Sequence, residues 1–223
     1  MAFTNDTVSL VVGGTSGIGH ALADRLAMRP GRLVTASRAT GLDVADAGAV
    51  TAFFDGLGPV DHVIFTAGSQ APGGLLADLD LAAARAAFDV KFWGGIAVAQ
   101  AAARHIRPGG TLTLTSGFLA RRTTPGALVK TAMNAALEAS AKVLARELAP
   151  VRVNVVSPGL TDTEAYSGMP EDARRQMIES AAATLPAGRV ARPEYVAAGY
   201  LFAIDTPSVT GAVIDIDGGA LIA

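Results

Sequence analysis

The chain has 223 residues and no cysteine, so disulfide bonds, thiolate nucleophiles and cysteine-based metal sites are excluded. Aromatic residues are scarce, and Ala, Val and Leu dominate the apolar half of the chain, which suits helices packed closely on a parallel sheet. The histidines are too scattered to predict a metal site: His20, His62 and His105. The formal net charge of −2 gives no indication of binding to nucleic acid or to an anionic membrane.

The sequence also lacks a basic segment followed by an apolar stretch at its start, and it has no apolar run of membrane-spanning length. We therefore expect a cytoplasmic protein without membrane association. The length is sufficient for one sizeable α/β domain with a large core.

Strand and helix patterns alternate along the chain, which predicts an α/β fold with a Rossmann-type doubly wound parallel sheet. Residues 1–223 are expected to form a single domain, in which a polar segment at about 159–190 forms a lobe over the substrate. Pro125 is expected to begin the fourth helix. Strands are predicted over 7–12, 32–37, 60–66, 110–115, 151–156 and 212–216, and helices over 17–28, 46–56, 78–105, 125–148, 171–183 and 193–204.

A glycine-rich turn joins the first strand to the first helix, with glycines at positions 13, 17 and 19. This strand–turn–helix context is typical of a dinucleotide-binding loop, because glycines let the backbone approach a pyrophosphate and helix N–H groups face its charge. A valine at Gly17 or Gly19 is therefore expected to block the cofactor without unfolding the domain.

These glycines resemble the TGxxxGxG loop of the short-chain dehydrogenase/reductase family, with Val12 in place of its threonine. The resemblance continues to the C-terminus through family-like motifs: Asp43-Val44, Thr66-Ala67-Gly68, Arg152-Val153-Asn154, Pro158-Gly159, Thr210-Gly211 and Asp217-Gly218-Gly219. Only four residues separate Arg38 from Asp43, where the family has a whole helix.

The resemblance implies a nicotinamide cofactor, a small-molecule substrate and a homodimer or homotetramer formed through the helices predicted over 78–105 and 125–148. The cofactor-binding residues that it implies are Gly13, Thr15, Ser16, Gly17, Ile18, Gly19, Ser37, Arg38, Asp43, Val44, Ala67, Gly68, Asn134, Pro158, Gly159, Thr161 and Thr163. Ser37 occupies the position where an NAD enzyme carries an acidic residue, and Arg38 follows it. A hydroxyl and a guanidinium suit a 2′-phosphate, which favours NADP(H) over NAD(H).

The chain lacks the YxxxK motif with which the family carries out its chemistry. In the register that aligns Asn134-Ala135-Ala136-Leu137 with the family's Lys-Ala-Ala-Leu, Lys130 occupies the tyrosine position and Asn134 the lysine position. Lys91 replaces the family's asparagine, and Ser116 retains its serine. The resemblance therefore implies the catalytic set Lys91, Ser116, Lys130 and Asn134.

Lys130 is the expected proton donor in this set, since a lysine ammonium is an effective acid when burial and a second lysine lower its pKa. Ser116 is expected to hydrogen-bond the substrate oxygen. A tyrosine restored at position 130 is expected to remain inactive, because Asn134 cannot lower the pKa of a phenol. Two alternatives stay open: a non-redox isomerase, cyclase or dehydratase that uses the lysines, and a non-catalytic NADP(H)-binding protein.

Overall fold

The computed structural model describes residues 3–68 and 70–223. Its strands form one six-stranded sheet in the order β2-β1-β3-β4-β5-β6, and every pairing is parallel. The predicted Rossmann-type α/β sheet is thereby confirmed. The strands are β1 (Val8–Val12), β2 (Arg32–Ala36), β3 (Val60–Phe65), β4 (Ile106–Thr115), β5 (Arg152–Pro158) and β6 (Val213–Ile216).

Seven α-helices lie within the described residues, and shorter helical turns join some of the elements. None of these helices is long and apolar enough to span a membrane. The helices are α1 (Gly17–Ala27), α2 (Ala47–Leu57), α3 (Leu81–Phe88), α4 (Gly94–Ala102), α5 (Leu128–Glu147), α6 (Glu171–Thr184) and α7 (Pro193–Asp205).

Two predicted helix boundaries are wrong. The continuous helix expected over 78–105 is interrupted by a π-helical turn, Asp89–Trp93, which separates α3 from α4. Such turns occur frequently at functional sites, because the wider turn redirects a side chain. Pro125 does not begin α5, since Ala127 donates its N–H to the Thr124 carbonyl in a separate turn and the helix starts at Leu128.

The sheet carries an apolar layer on each face because its buried strands alternate their side chains. On β1, Leu10 and Val12 pack with α2, α4 and α5, whereas Val11 faces α1 and α7. Helix α6 has no buried residue and lies outside both layers.

The sheet order places a topological switch at β1, which lies between β2 and β3. The connection from β1 runs to β2 and the connection from β3 runs to β4, in opposite directions along the sheet, so a crevice opens at the carboxyl ends of β1 and β3, where open α/β sheets bind ligands. Strand β2 is an edge strand of the sheet. The connection from β2 to α2 contains a single 3₁₀ turn, Arg38–Thr40. The absence of the family's helix from this connection is thereby confirmed.

Candidate active site

Two adjoining cavities lie at the carboxyl edge of the sheet. The first, the glycine-loop cleft, has a volume of about 430 Å³ and lies over the β1–α1 turn and the end of β2. The second, the lysine cavity, lies over the ends of β4 and β5. Both are lined by Ile18, Thr66, Ala67, Gly68, Thr163 and Ala165, so the two cavities form one continuous groove.

The groove brings the predicted site residues together. Those of the β1–α1 turn and of the β2 end line the glycine-loop cleft: Gly13, Thr15, Ser16, Gly17, Ile18, Gly19, Ser37, Arg38, Asp43 and Val44. The lysine cavity is lined by the remaining predicted residues: Ala67, Gly68, Lys91, Ser116, Lys130, Asn134, Pro158, Gly159, Thr161 and Thr163. Residues separated by most of the chain therefore meet at one place.

The glycines of the loop serve two different purposes. Gly13 has φ +91°, and a Cβ there would lie 2.6 Å from the Ala67 nitrogen. A Cβ on Gly19 would lie 2.2 Å from the Gly13 carbonyl oxygen, so this glycine lets α1 pack against the turn. A Cβ on Gly17 would instead lie 3.6 Å from Thr163 Cγ2, which is an ordinary contact across the cleft.

Ser37 and Arg38 lie where β2 ends at the cleft. Thr15 Oγ1 donates a hydrogen bond to Ser37 Oγ at 3.0 Å, which orients the serine. The Ser37 N–H is bound to Thr40 Oγ1 at 2.8 Å, and this contact closes the short turn. Arg38 is exposed, and its guanidinium has no hydrogen bond or ion pair with residues 3–68 or 70–223. It therefore remains available for an anionic ligand.

Lys91 and Asn134 meet in the lysine cavity from different helical segments. Lys91 Nζ, on the π turn, donates to Asn134 Oδ1 at 2.7 Å and to the Ser116 carbonyl oxygen at 2.9 Å. Lys91 thus places an ammonium against the side chain that was predicted to occupy the family's lysine position. This contact supports the register in which lysine and asparagine have exchanged places.

The Lys91 ammonium is enclosed, although part of the residue remains accessible. Burial and, to a lesser extent, the nearby positive charge of Lys130 together lower its pKa to about 8. Lys130 itself is exposed at the first turn of α5. Burial therefore acts on Lys91, and the expectation that Lys130 is the buried lysine is wrong.

Sequence reasoning missed Glu138, which is buried on α5 one turn after Asn134. The Ser116 hydroxyl donates to Glu138 Oε1 at 2.9 Å, so its hydrogen is directed toward α5. Arg121 Nε lies 3.0 Å from Glu138 Oε2 and supplies the counter-charge, and its Nη1 also donates to Asp215. The sequence did contain a signal for Glu138: it lies four residues after Asn134, and residues four apart lie on the same face of a helix.

Tyr166 also lines the lysine cavity, from the 3₁₀ turn Glu164–Tyr166. Burial and, to a lesser extent, the charge of Asp162 raise the pKa of its phenol. A raised pKa makes the phenol a weaker proton donor at neutral pH. Tyr166 is therefore a poorer candidate for the acid than Lys91, whose pKa is lowered.

Comparisons with known proteins relate this chain to dehydrogenases and reductases. A family model described as enoyl-(acyl carrier protein) reductase matches residues 12–220. The chain is 32% identical to cis-4-hydroxycyclohexanecarboxylate dehydrogenase of Sinomonas cyclohexanicum, and the alignment covers 96% of each protein. It is 34% identical to the short-chain dehydrogenase/reductase ATR9 of Stachybotrys chlorohalonatus over 74% of this chain and 65% of that relative.

Among solved structures, a small-chain dehydrogenase in complex with NADPH is 50% identical to this chain. The two superpose with a TM-score of 0.95 over 98% of this chain and 100% of the other. The fold therefore has a close structural counterpart.

The structure corrects the expectation for Gly19. Gly19→Val should lower the free energy of unfolding by about 1–3 kcal/mol or more, because its side chain would clash with the Gly13 carbonyl oxygen of the β1–α1 turn. Gly17→Ala should cost only about 1–2 kcal/mol, since its Cβ has room and the penalty comes from φ +52°. Urea unfolding of both variants measures the difference, and wild-type stability of Gly19→Val would contradict it.

Proposed function

Because the chain belongs to the short-chain dehydrogenase/reductase family, we propose that it is an NADP(H)-dependent oxidoreductase that reduces a carbonyl group or oxidises an alcohol. The observation that carries this proposal is the meeting of Lys91, Ser116, Lys130 and Asn134 in a cavity that is continuous with the glycine-loop cleft. NADPH or NADP⁺ would supply or accept the hydride. The relatives named dehydrogenase or reductase favour redox chemistry over an isomerase, a cyclase, a dehydratase or a non-catalytic binding protein.

The choice of NADP(H) is supported by the residues at the end of β2. A 2′-phosphate needs donors and a positive charge, which the Ser37 hydroxyl and the exposed Arg38 guanidinium provide. The 50% identical structure in complex with NADPH agrees with this choice. At the other end of the groove, Asn134, Thr161 and Thr163 would hold the nicotinamide and its ribose.

Lys130 is the proposed proton donor to the substrate oxygen during carbonyl reduction. It lines the cavity, is not buried, and acts close enough to Lys91 to affect that residue's pKa. Lys91 keeps Asn134 in place and adds positive charge, which favours the developing alkoxide. The runner-up is Lys91 itself, whose lowered pKa suits an acid but whose ammonium is already bound to two acceptors.

Ser116 has a different proposed role from the one the sequence suggested. Since its hydroxyl hydrogen is given to Glu138, its oxygen presents lone pairs toward the cavity. The serine would therefore accept a hydrogen bond, either from the Lys130 ammonium or from the hydroxyl of an alcohol substrate. A carbonyl oxygen would depend on the lysine for its donor.

We also propose that the whole chain is one domain with residues 159–190 as its substrate lobe. Thr161, Thr163 and Tyr166 of that segment line the lysine cavity. A homodimer or homotetramer through the predicted helices is supported by four exposed apolar side chains in α3, the π turn and α5: Leu81, Trp93, Leu128 and Val143. These side chains are more than half exposed and would be covered by a second copy.

The function is tested by mixing stoichiometric NADPH with the protein and a panel of aldehydes and ketones. We expect loss of absorbance at the nicotinamide band and formation of the alcohol. Borohydride trapping in parallel tests for an imine on Lys91 or Lys130. Imine formation without NADPH oxidation would contradict the proposal and indicate non-redox lysine chemistry.

Arg38→Asp should weaken NADPH binding roughly 10- to 100-fold while NADH binding changes little, because a charge-assisted contact is replaced by repulsion. Fluorescence titration with both cofactors measures the effect. Arg25→Asp is the matched control, since Arg25 lies at the far end of α1 from the cleft and carries the same charge. Equal weakening of NADPH and NADH would reject Arg38 as the phosphate-binding residue.

Lys130→Met should lower carbonyl reduction by about 10²- to 10⁴-fold, the usual contribution of a general acid, with little change in NADPH affinity. The structure revises the expectation for Lys130→Tyr, because a phenol there would lie near the Lys91 ammonium, which favours its ionised form. We therefore expect Lys130→Tyr to be more active than Lys130→Met. Lys142→Met, on the same helix, is the control; near-wild-type activity of Lys130→Met would refute the assignment.

Light scattering at micromolar concentration should give the mass of a dimer or tetramer. Trp93→Glu together with Val143→Glu should shift the protein toward monomer, since charges would enter the covered apolar surface. A monomeric wild-type protein would rule out this assembly.

A further inference from the structure

The β1–α1 turn already binds a carboxylate. Gly17, the first residue of α1, donates its N–H to Glu164 Oε2 at 3.0 Å, across 147 positions of the sequence. Ser16, which precedes the helix, makes no capping hydrogen bond with its own side chain. A residue of the lobe at 159–190 thus supplies the anion that the helix N-terminus favours.

Glu164 contacts the β1–α1 turn from the 3₁₀ turn Glu164–Tyr166, and the residue two positions before Glu164, Asp162, is held by hydrogen bonds. Asp162 donates its N–H to the Ala191 carbonyl oxygen at 3.0 Å, and its carboxylate accepts from Arg174 Nε at 2.9 Å. Residues 163–167 form a local turn, in which the Ser167 N–H donates to the Glu164 carbonyl oxygen at 2.9 Å. Glu164 itself is exposed, and its carboxylate contact with Gly17 joins this turn to α1.

The position that Glu164 occupies is the one that the proposed cofactor requires. A pyrophosphate at this loop would take the N–H groups at the start of α1, and Gly17 provides the first of them. Carboxylate and pyrophosphate are both anions, so they exclude each other from that N–H and repel at close range. Binding of the dinucleotide therefore has to displace Glu164.

On the strength of the proposed NADP(H) function, we propose that Glu164 is a built-in competitor of the cofactor's pyrophosphate, and that cofactor binding releases the turn that it holds. Thr163 and Ala165, on either side of Glu164, line both the glycine-loop cleft and the lysine cavity. Release of Glu164 therefore also reshapes the wall of the lysine cavity. Cofactor binding would thereby change the shape of the lysine cavity.

The competition is tested with Glu164→Gln, which removes the charge and keeps the shape. NADPH should bind about two- to fivefold more tightly, the range expected for one carboxylate at an exposed helix N-terminus. Glu171→Gln is the matched control, because it removes the same charge from α6 in the same lobe. Adenosine 2′-monophosphate is the control ligand, since it carries the 2′-phosphate and lacks a pyrophosphate, and its affinity should be the same in all three proteins.

Two measurements show whether the contact itself is responsible. In the cofactor-free protein, the amide signal of Gly17 should shift in Glu164→Gln and stay in place in Glu171→Gln. In the wild type, saturation with NADPH should accelerate hydrogen exchange at the amides of Tyr166 and Ser167, whose turn is released.

The outcomes separate this inference from the proposed function. If wild-type protein binds NADPH and Glu164→Gln binds it no more tightly, the competitor role is wrong and the cofactor assignment stands. The inference is overturned if Glu171→Gln increases NADPH affinity as much as Glu164→Gln does, or if Glu164→Gln increases the affinity for adenosine 2′-monophosphate equally. Either result would mean that the change in overall charge, and not the contact with Gly17, causes the effect. If neither protein binds NADPH, the proposed function and this inference both fail.

Discussion

The Lys91 ammonium lies 2.7 Å from Asn134 Oδ1 and 2.9 Å from the Ser116 carbonyl oxygen, so one cation joins the π turn, α5 and the end of β4. An enclosed charge is costly unless hydrogen-bonded partners compensate for the lost water. These two acceptors provide that compensation. The positions of Asn134 and Ser116 in the lysine cavity, and the arrangement of charge around Lys130, depend on this contact.

A second polar network lies behind the first and fixes Ser116 from the other side. Glu138 accepts a hydrogen bond from the Ser116 hydroxyl. Arg121 contacts both Glu138 and Asp215, which lies on the edge strand β6. Ser116 is therefore held through its carbonyl by Lys91 and through its hydroxyl by Glu138. A group fixed at both ends is preorganised, which an active site requires if it is to stabilise charge without reorganisation.

Much of this arrangement was predictable from local sequence. The alternation of β-branched strands and Ala-rich helices predicted the sheet, and the glycine turn after β1 predicted the cleft, because both signals depend on neighbouring residues. The motifs also predicted that lysine and asparagine are exchanged between positions 91 and 134, and in the structure these two side chains are hydrogen-bonded to each other. The interruption of the helix over 78–105 was not predicted, since Asp89–Trp93 contains neither glycine nor proline, the residues that usually signal a break.

The contacts that sequence missed are long-range. Ser116 and Glu138 are 22 positions apart, and Gly17 and Glu164 are 147 apart. The role of Gly19 depends on the backbone of Gly13 and the side chain of Thr66, which only the folded turn brings close. Sequence identified the residue types at the site, whereas folding determined which hydrogen bonds each of them makes.

The proposed site depends on an enclosed Lys91 ammonium that holds Asn134 and lies close to the proposed proton donor, Lys130. The chain has only three lysines, so NMR of isotope-labelled side chains can follow each one, with exposed Lys142 as the internal reference. The account predicts a pKa of about 8 for Lys91, and a higher value in Lys130→Met because a neighbouring positive charge is removed. An ordinary pKa near 10.5 for Lys91 in the wild type would contradict it.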